Sequence, residues 1–452
     1  MLQSALGEYY LMSDALGIAV VGCGTVGGGV VEALLRHRER LAQRAGRPLQ
    51  LRHIVVRDRH KPREPFIPRE LLTDSLAPVL QDAAVQVVVE LIGGTTTARE
   101  VVLSSLAAGK HVVTANKALL AEAGPEIFEA ARRAERTICF EAAVAGGVPI
   151  IRALGESLAA NQITAIQGIL NGTSNYILTA MAERGLPYAQ ALQEAQAHGY
   201  AEADPRLDVD GSDAAHKLAI LAQIAFGVIA RPQDITRQGI DQLHPMDIRF
   251  AQELGYTIKL LAEAWTRSDP QRPDGPRGVA LHVAPVLLRQ TDLLAQVRGA
   301  YNAIAVYGDI VGETLYQGPG AGRGPTTSSV LADLIDLAVG RAQRTFAAAR
   351  LWSRADRGFV LDPPEQVHSR FYLRLLVADK PGVLADIARI LAQHTISISS
   401  VVQHEAPEGD GEPVPLVIVT HYATTGHFLA AVEQINRLPT VATPAVYYSM
   451  GD

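Results

Sequence analysis

Cysteine is almost absent, with only Cys23 and Cys139 in 452 residues, each inside a strand-like run. Two thiols are too few for a disulfide framework or a zinc site, so both are expected to be structural. Aromatic residues are scarce at 5%, and charged residues reach only 19%, mixed in sign, with a net charge of −6. That mixture excludes a basic nucleic-acid stripe and an acidic disordered tail. Long hydrophobic runs are missing too. Residues 218–230 come nearest, are interrupted by Gln223, and fall short of the ~20 residues that cross a bilayer. The first Lys or Arg is Arg36, so the beginning of the chain has neither the basic start of a secretory signal nor the Arg-rich character of a transit peptide. These absences predict a cytoplasmic protein that binds small molecules, with no nucleic acid and no membrane among its partners.

What is present is enough apolar sequence for a large core. Hydrophobic residues make up 48%, and at about 150 residues per domain the length allows about three domains. From 17 to about 148, strand-like runs (18–21, 51–56, 85–92, 111–114, 137–142) alternate with helical patterns. This predicts an α/β fold with a Rossmann-type, doubly wound parallel sheet. The run at 85–92 is too continuously apolar for a sheet with one wet face. From about 150 to 320, helical patterns (188–198, 213–227, 247–264) precede strand-like runs (279–288, 303–307, 313–316), which predicts an α+β domain. Its turn-rich stretch 268–277 reads as a surface loop. After Asp362-Pro-Pro-Glu, the order is strand 371–378, helix to about 394, strands 396–403 and 416–422, helix 425–438 and strand 445–449. This is a ferredoxin-like βαββαβ pattern. The expected division is an N-terminal extension 1–16, a nucleotide domain 17–149 completed by 318–340, a second domain 150–317, a linker 341–369 and a third domain 370–452.

The first chemical motif is Gly22-Cys-Gly24-Thr25-Val26-Gly27, directly after a strand and directly before a helical pattern. The first glycine permits a tight turn, the second lets backbone approach a pyrophosphate, and the third lets helix and strand pack. The helix N-terminus then faces the anion. The end of the second strand reads Arg57-Asp58-Arg59-His60-Lys61, where an acid would hold a ribose hydroxyl and an Arg a 2′-phosphate. Three cations against one acid favour NADP(H) over NAD(H) through Arg57, with a solvated basic turn as the alternative.

The densest polar cluster carries Glu202, Asp204, Asp208, Asp210 and Asp213, followed by Lys217. A helix starting near Ser212 puts Asp213 and Lys217 one turn apart, on the face that holds Ile220, Leu221, Ile224 and Val228. The pair therefore points inward. A partly desolvated ammonium gives up its proton more readily, while Asp213 opposes that change, so Lys217 reads as a general acid or as half of a structural ion pair.

The glycine motif, Thr114-Ala-Asn-Lys117, Glu141-Ala-Ala-Val144-Ala-Gly146-Gly-Val148-Pro and the 199–217 block together resemble the homoserine dehydrogenase family, in order, from about 17 to 339. The resemblance implies reversible reduction of aspartate 4-semialdehyde to homoserine with NAD(P)H, on the branch to threonine and methionine. It implies that Glu202 binds the substrate amino group, that Asp208 and Asp213 line the pocket, that Lys217 supplies the proton, and that Lys117 lies beside the nicotinamide and the substrate. It also implies a monovalent cation, Na⁺ or K⁺, held by Glu141 and the carbonyls of Val144, Gly146 and Val148; a glycine-rich hinge is the alternative. Gly318-Pro-Gly320-Ala-Gly322-Arg323 opens a helix expected at 328–338. In the family this loop returns to the nucleotide domain and closes over the dinucleotide; a flexible connector is the other reading. The domain 150–317 would then bind substrate and dimerise, giving a homodimer or homotetramer. Asp379-Lys-Pro-Gly382-Val-Leu resembles the first turn of an ACT domain. Near Asp379 and Gly382 such domains take amino-acid effectors, here threonine, and a purely dimerising module is the alternative. Two other functions fit the scaffold: a different NAD(P)-dependent oxidoreductase of amino acids or semialdehydes, and a catalytically dead nucleotide-binding sensor.

Overall fold

A computed structural model describes residues 15–267, 277–353, 359–404 and 412–451. The expected extension 1–16 lies almost wholly outside the described residues, as does the expected surface loop 268–277. The described residues fall into two compact units, one drawn from Met1–Ile163, His216–Asp234 and Tyr307–Arg357, the other from Thr164–Ala215, Ile235–Val306 and Gly358–Asp452. Among the described residues no helix is long and apolar enough to cross a membrane.

In the first unit six strands form the expected parallel sheet: β1 (Leu16–Val21), β2 (Leu49–Val55), β3 (Leu72–Thr73), β4 (Val85–Glu90), β5 (His111–Thr114) and β6 (Ile138–Cys139). Their order is β3-β2-β1-β4-β5-β6, and each neighbouring pair is parallel. The strand order of such a sheet reverses between β1 and β4, where a crevice opens at the carboxyl ends of the strands. Five of the six β4 residues are buried, as a sheet covered on both faces requires. The helical pattern after the glycine motif forms two helices, Thr25–Arg36 and Arg38–Ala45, broken at His37 and closed by left-handed Gly46.

Helix Arg323–Ala338 packs Val330, Leu334 and Leu337 into the core shared by Ile18, Val20, Val30 and Leu34, so the late segment does return to the nucleotide-type sheet. It starts five residues earlier than expected, because Pro325 is tolerated in a first helical turn. The strand expected at 137–142 is only β6, after which Glu141–Ala143 curls into a 3₁₀ turn. The stretch 341–369, expected to be a linker, carries helix Arg341–Ala349 and strand Phe359–Leu361. Phe346 and Trp352 anchor its first part, with ring centroids 5.7 and 4.3 Å from Phe128.

The second unit contains helices Gly172–Arg184, Tyr188–Ala197 and Pro245–Glu253 and an antiparallel ribbon of Tyr256–Arg267 with Arg277–Arg289. The helix expected over 247–264 stops at Glu253, because left-handed Gly255 (φ 83°) turns the chain into the ribbon. Residues 258–264 are buried without interruption and five of the seven are apolar, so hydrophobicity alone does not tell strand from helix there. Lys259 and Glu263, spaced like a helical pair, share a face of the strand because its period is two.

The four-stranded ferredoxin-like sheet runs Val446–Met450, His368–Val377, Val414–Thr420, Ile398–Gln403, with all neighbours antiparallel. Helices Val383–Gln393 and Thr425–Ile435 cover it through Ile387, Leu391, Phe428 and Ile435. Its edge strand Val446–Met450 continues in parallel onto Arg277–Arg289, with Ser449 opposite Val286 and Met450 opposite Leu287.

Candidate active site

The glycine motif sits as its spacing requires. Gly22 is left-handed (φ 97°), and a Cβ there would stand 2.7 Å from the Leu91 carbonyl oxygen. A Cβ on Gly27 would stand 1.9 Å from the Gly22 oxygen, while one on Gly24 would meet nothing within 4 Å. Gly22, Gly24, Thr25 and Arg57 line one cleft of about 1390 Å³, together with Ile92–Thr97 and Arg323. Val26 and Gly27 support the turn from behind; Lys117, Gly320 and Gly322 are also outside the cleft lining.

Asp58, Lys61 and Arg63 share the cleft with Arg57. Asp58 turns one carboxylate oxygen onto its own loop, where it accepts the His60 N–H at 2.8 Å. Arg63, which sequence reasoning missed, donates to the carbonyls of Lys61 (2.9 Å) and Asp58 (2.8 Å), so its guanidinium is tethered over the same loop. Arg323 ties the returning helix down through Glu32 (2.8 Å) and Glu64 (2.9 Å).

At the far side of the cleft a second missed residue, fully buried Glu90, accepts the Thr114 hydroxyl at 2.7 Å and the Ile92 N–H at 2.9 Å. Asn116 donates to Gly94 O and caps helix Lys117–Arg133 by accepting the Leu119 N–H. Lys117 therefore occupies the first turn of that helix, half-buried, after β5. Lys217 lies on helix Ser212–Phe226, which begins where the sequence predicts, and is buried at 8% exposure.

The Glu141 to Val148 loop is buried and polar. Both Glu141 carboxylate oxygens accept backbone N–H groups, from Ile151 and Arg152 at 2.9 Å each, and burial still pushes its pKa up to about 7. Asp333 accepts the Glu141 N–H at 3.0 Å, and its carboxyl is raised well above the usual range by the same desolvation. The Gly146 carbonyl accepts the Ser329 hydroxyl and the Val148 carbonyl the Ile150 N–H. This loop meets the Gly318–Gly322 stretch closely: Gly147 N–H donates to Pro319 O, and a Cβ on Gly146 would stand 2.5 Å from Gly320 O. Gly322 (φ 111°) precedes the helix as its cap. Among the described residues no group of three or more His, Cys, Asp or Glu is arranged to hold a metal ion. A site made of one carboxylate and carbonyls is not such a group.

The second unit carries the acidic part. Asp208 and Asp213 converge on one amide: Asn171 Nδ2 donates to Asp208 Oδ1 at 2.8 Å and to Asp213 Oδ2 at 3.0 Å. Asn171 was missed; its only sequence signal is the capping preference of an Asn before a helical pattern. Glu202 is exposed, and Gln196 donates to its backbone carbonyl. Asp379 and Gly382 are exposed at the turn before helix Val383–Gln393, with Gly382 left-handed (φ 96°).

Family models match three consecutive stretches: the NAD binding domain of homoserine dehydrogenase at 22–141, homoserine dehydrogenase at 149–335, and the ACT domain at 371–437. The homoserine dehydrogenase of Pseudomonas aeruginosa is 44% identical over 434 residues, 95% of this chain and 97% of that protein. The crystal structure of a homoserine dehydrogenase from Thiobacillus denitrificans superposes with a TM-score of 0.88 at 42% identity, covering 97% of this chain and 98% of that one. A hyperthermophilic archaeal homoserine dehydrogenase in complex with NADPH matches 71% of this chain and 97% of its own, at a TM-score of 0.58 and 27% identity.

Proposed function

The chain belongs to the homoserine dehydrogenase family, and from that premise we propose that it reversibly reduces L-aspartate 4-semialdehyde to L-homoserine with NAD(P)H. The observation that carries this reading is Lys217, a lysine buried at 8% exposure one helical turn after Asp213, whose carboxylate is bridged to that of Asp208. A bound dinucleotide supplies the hydride. As negative charge grows on the substrate carbonyl oxygen, Lys217 stabilises it and delivers the proton, with Lys117 as the second cation for that oxygen. Glu202, Asp208 and Asp213 neutralise the substrate α-ammonium. The pairing of one sheltered ammonium with an acidic receptor suits an amino-acid aldehyde better than a neutral one.

Gly22, Gly24, Thr25, Val26, Gly27, Gly320 and Gly322 form the dinucleotide-binding turns. Arg57, Lys61 and Arg63 favour NADP(H) over NAD(H), because the one competing acid, Asp58, spends an oxygen on its own loop. The Glu141, Val144, Gly146 and Val148 donor set is all oxygen, which suits a hard monovalent cation, Na⁺ or K⁺, in a structural role. Partnered carbonyl and carboxylate oxygens keep further lone pairs for it. The ACT domain takes an amino-acid effector, threonine, at the Asp379 to Gly382 turn, where the following helix N-terminus receives a carboxylate. We further propose the division 17–149 with 318–340 for nucleotide, 150–317 for substrate and dimerisation, and 370–452 for regulation, in a homodimer or homotetramer.

The test is NADPH and NADH consumption with aspartate semialdehyde, and the reverse reaction with homoserine, each with and without threonine. We expect turnover in both directions, a higher kcat/KM with NADPH, and inhibition by threonine. NADPH binding without turnover would establish the sensor reading instead.

A further inference from the structure

We propose that Asn171 is a positioning residue for substrate binding, acting through Asp208 and Asp213. The proposal rests on the reading above, in which those carboxylates receive the substrate ammonium. Asn171 is buried at 5% exposure and caps helix Gly172–Arg184, its Oδ1 accepting the Ser174 N–H at 2.8 Å. That bond settles the orientation of the amide. Its Nδ2, with two hydrogens, then faces only acceptors, one oxygen from each carboxylate, at 2.8 and 3.0 Å. The reversed amide would set an oxygen against two anions and an NH₂ against an N–H donor. Ser174 fixes the acidic segment from below, donating its hydroxyl to the Asp208 carbonyl at 2.6 Å.

The arrangement has a specific electrostatic use. Two carboxylates drawn together repel unless a donor lies between them, and hydrogen bonds to the ionised form favour that form. One neutral amide does this without adding a cation that would compete with the substrate ammonium. It also selects which oxygen of each carboxylate is turned toward the amide. The same residue thus couples the start of helix Gly172–Arg184 to the start of helix Ser212–Phe226, through a partner, Asp213, 42 residues along the chain.

Capping and bridging can be separated. Ser caps a helix about as well as Asn, but its hydroxyl stops one bond short of the amide nitrogen and offers one hydrogen instead of two. Asn171→Ser therefore keeps the cap and removes the bridge, and Asn171→Asp keeps the cap while facing the pair with a third anion. In steady-state kinetics with homoserine, Asn171→Ser should raise KM roughly 10- to 100-fold, the range for losing a hydrogen bond to a charged group. Its kcat should stay within about threefold, with melting temperature and NADPH Kd unchanged; Asn171→Asp should be worse in KM. In an Asp208→Asn background the Asn171→Ser step should shrink, because one of the two bonds that the amide makes has then already been altered. A KM within threefold of the wild type overturns the proposal. So does a KM rise matched by equal losses of NADPH affinity and melting temperature, or a step of full size in the Asp208→Asn background. Absence of wild-type turnover overturns both this proposal and the functional reading, whereas wild-type turnover with indifferent Asn171 variants overturns this one alone.

Discussion

At the scale of single residues, the decisive question is what each charge was withdrawn from water to do. Lys217 is buried, and removing its ammonium should lower kcat at least about 100-fold, the range for a general acid, with NADPH Kd near that of the wild type. Fluorescence titration of Lys217→Ala with NADPH, alongside kinetics, checks this; a parallel collapse of cofactor affinity and melting temperature would mark a structural ion pair. Arg57 is exposed on the cleft wall, so Arg57→Ala should weaken NADPH several-fold more than NADH and leave stability unchanged. Equal losses for both cofactors would remove Arg57 from 2′-phosphate recognition and leave Arg63 as the tethered candidate. The place of Arg57 on the cleft wall was legible because the end of the second strand beside a glycine turn is a local pattern. Arg63 and Glu90 were not, since their importance comes from the carbonyls, hydroxyl and amides they meet on folding.

Among elements, the strand–turn–helix at Leu16–Arg36 shows how two glycines of one motif do different jobs. A Cβ on Gly27 collides with backbone at 1.9 Å, where nothing flexible can yield. Gly27→Ala should therefore lower the melting temperature by several degrees as well as weaken NADPH, since overpacking costs about 1–3 kcal/mol or more. Gly24 has open space around it and a negative φ of −86°, so Gly24→Ala should keep the melting temperature and lose NADPH affinity alone. Thermal scans with and without NADPH separate the two; a Gly24→Ala protein that binds normally would show that no ligand comes close there. The six-stranded sheet and the βαββαβ order were readable because strand and helix periods are written locally in the apolar pattern. The helix expected over 247–264 failed because Lys259 and Glu263, the polar positions between Ile258 and Ala264, lie four residues apart and so share a face in a helix and in a strand alike.

For the molecule as a whole, the C-terminal sheet is bound into the second unit by more than strand pairing. Arg374 on strand His368–Val377 makes a two-pronged ion pair with Asp247 on helix Pro245–Glu253, at 2.5 and 2.9 Å, and the Tyr372 hydroxyl donates to the same carboxylate at 2.9 Å. Asp247 is fully buried. Arg374→Leu strands that charge and should cost about 3–5 kcal/mol, while replacing both partners by apolar residues should recover much of the loss. Urea unfolding of the single and double variants measures the difference; an unchanged midpoint in Arg374→Leu would mean that the pair contributes nothing net. The sequence by itself determined the layered α/β class, the dinucleotide turn, the inward face of helix Ser212–Phe226 and the order of the C-terminal elements. Each of these depends on spacings of a few residues, which backbone geometry converts directly into a turn or a face. Tertiary structure alone decided that Asn171 would meet Asp208 and Asp213, that Arg374 would find Asp247, and that Val446–Met450 would extend the ribbon strand Arg277–Arg289. The pairing of buried polar groups is chosen by which surfaces close on one another, and no local pattern records a partner dozens of residues away.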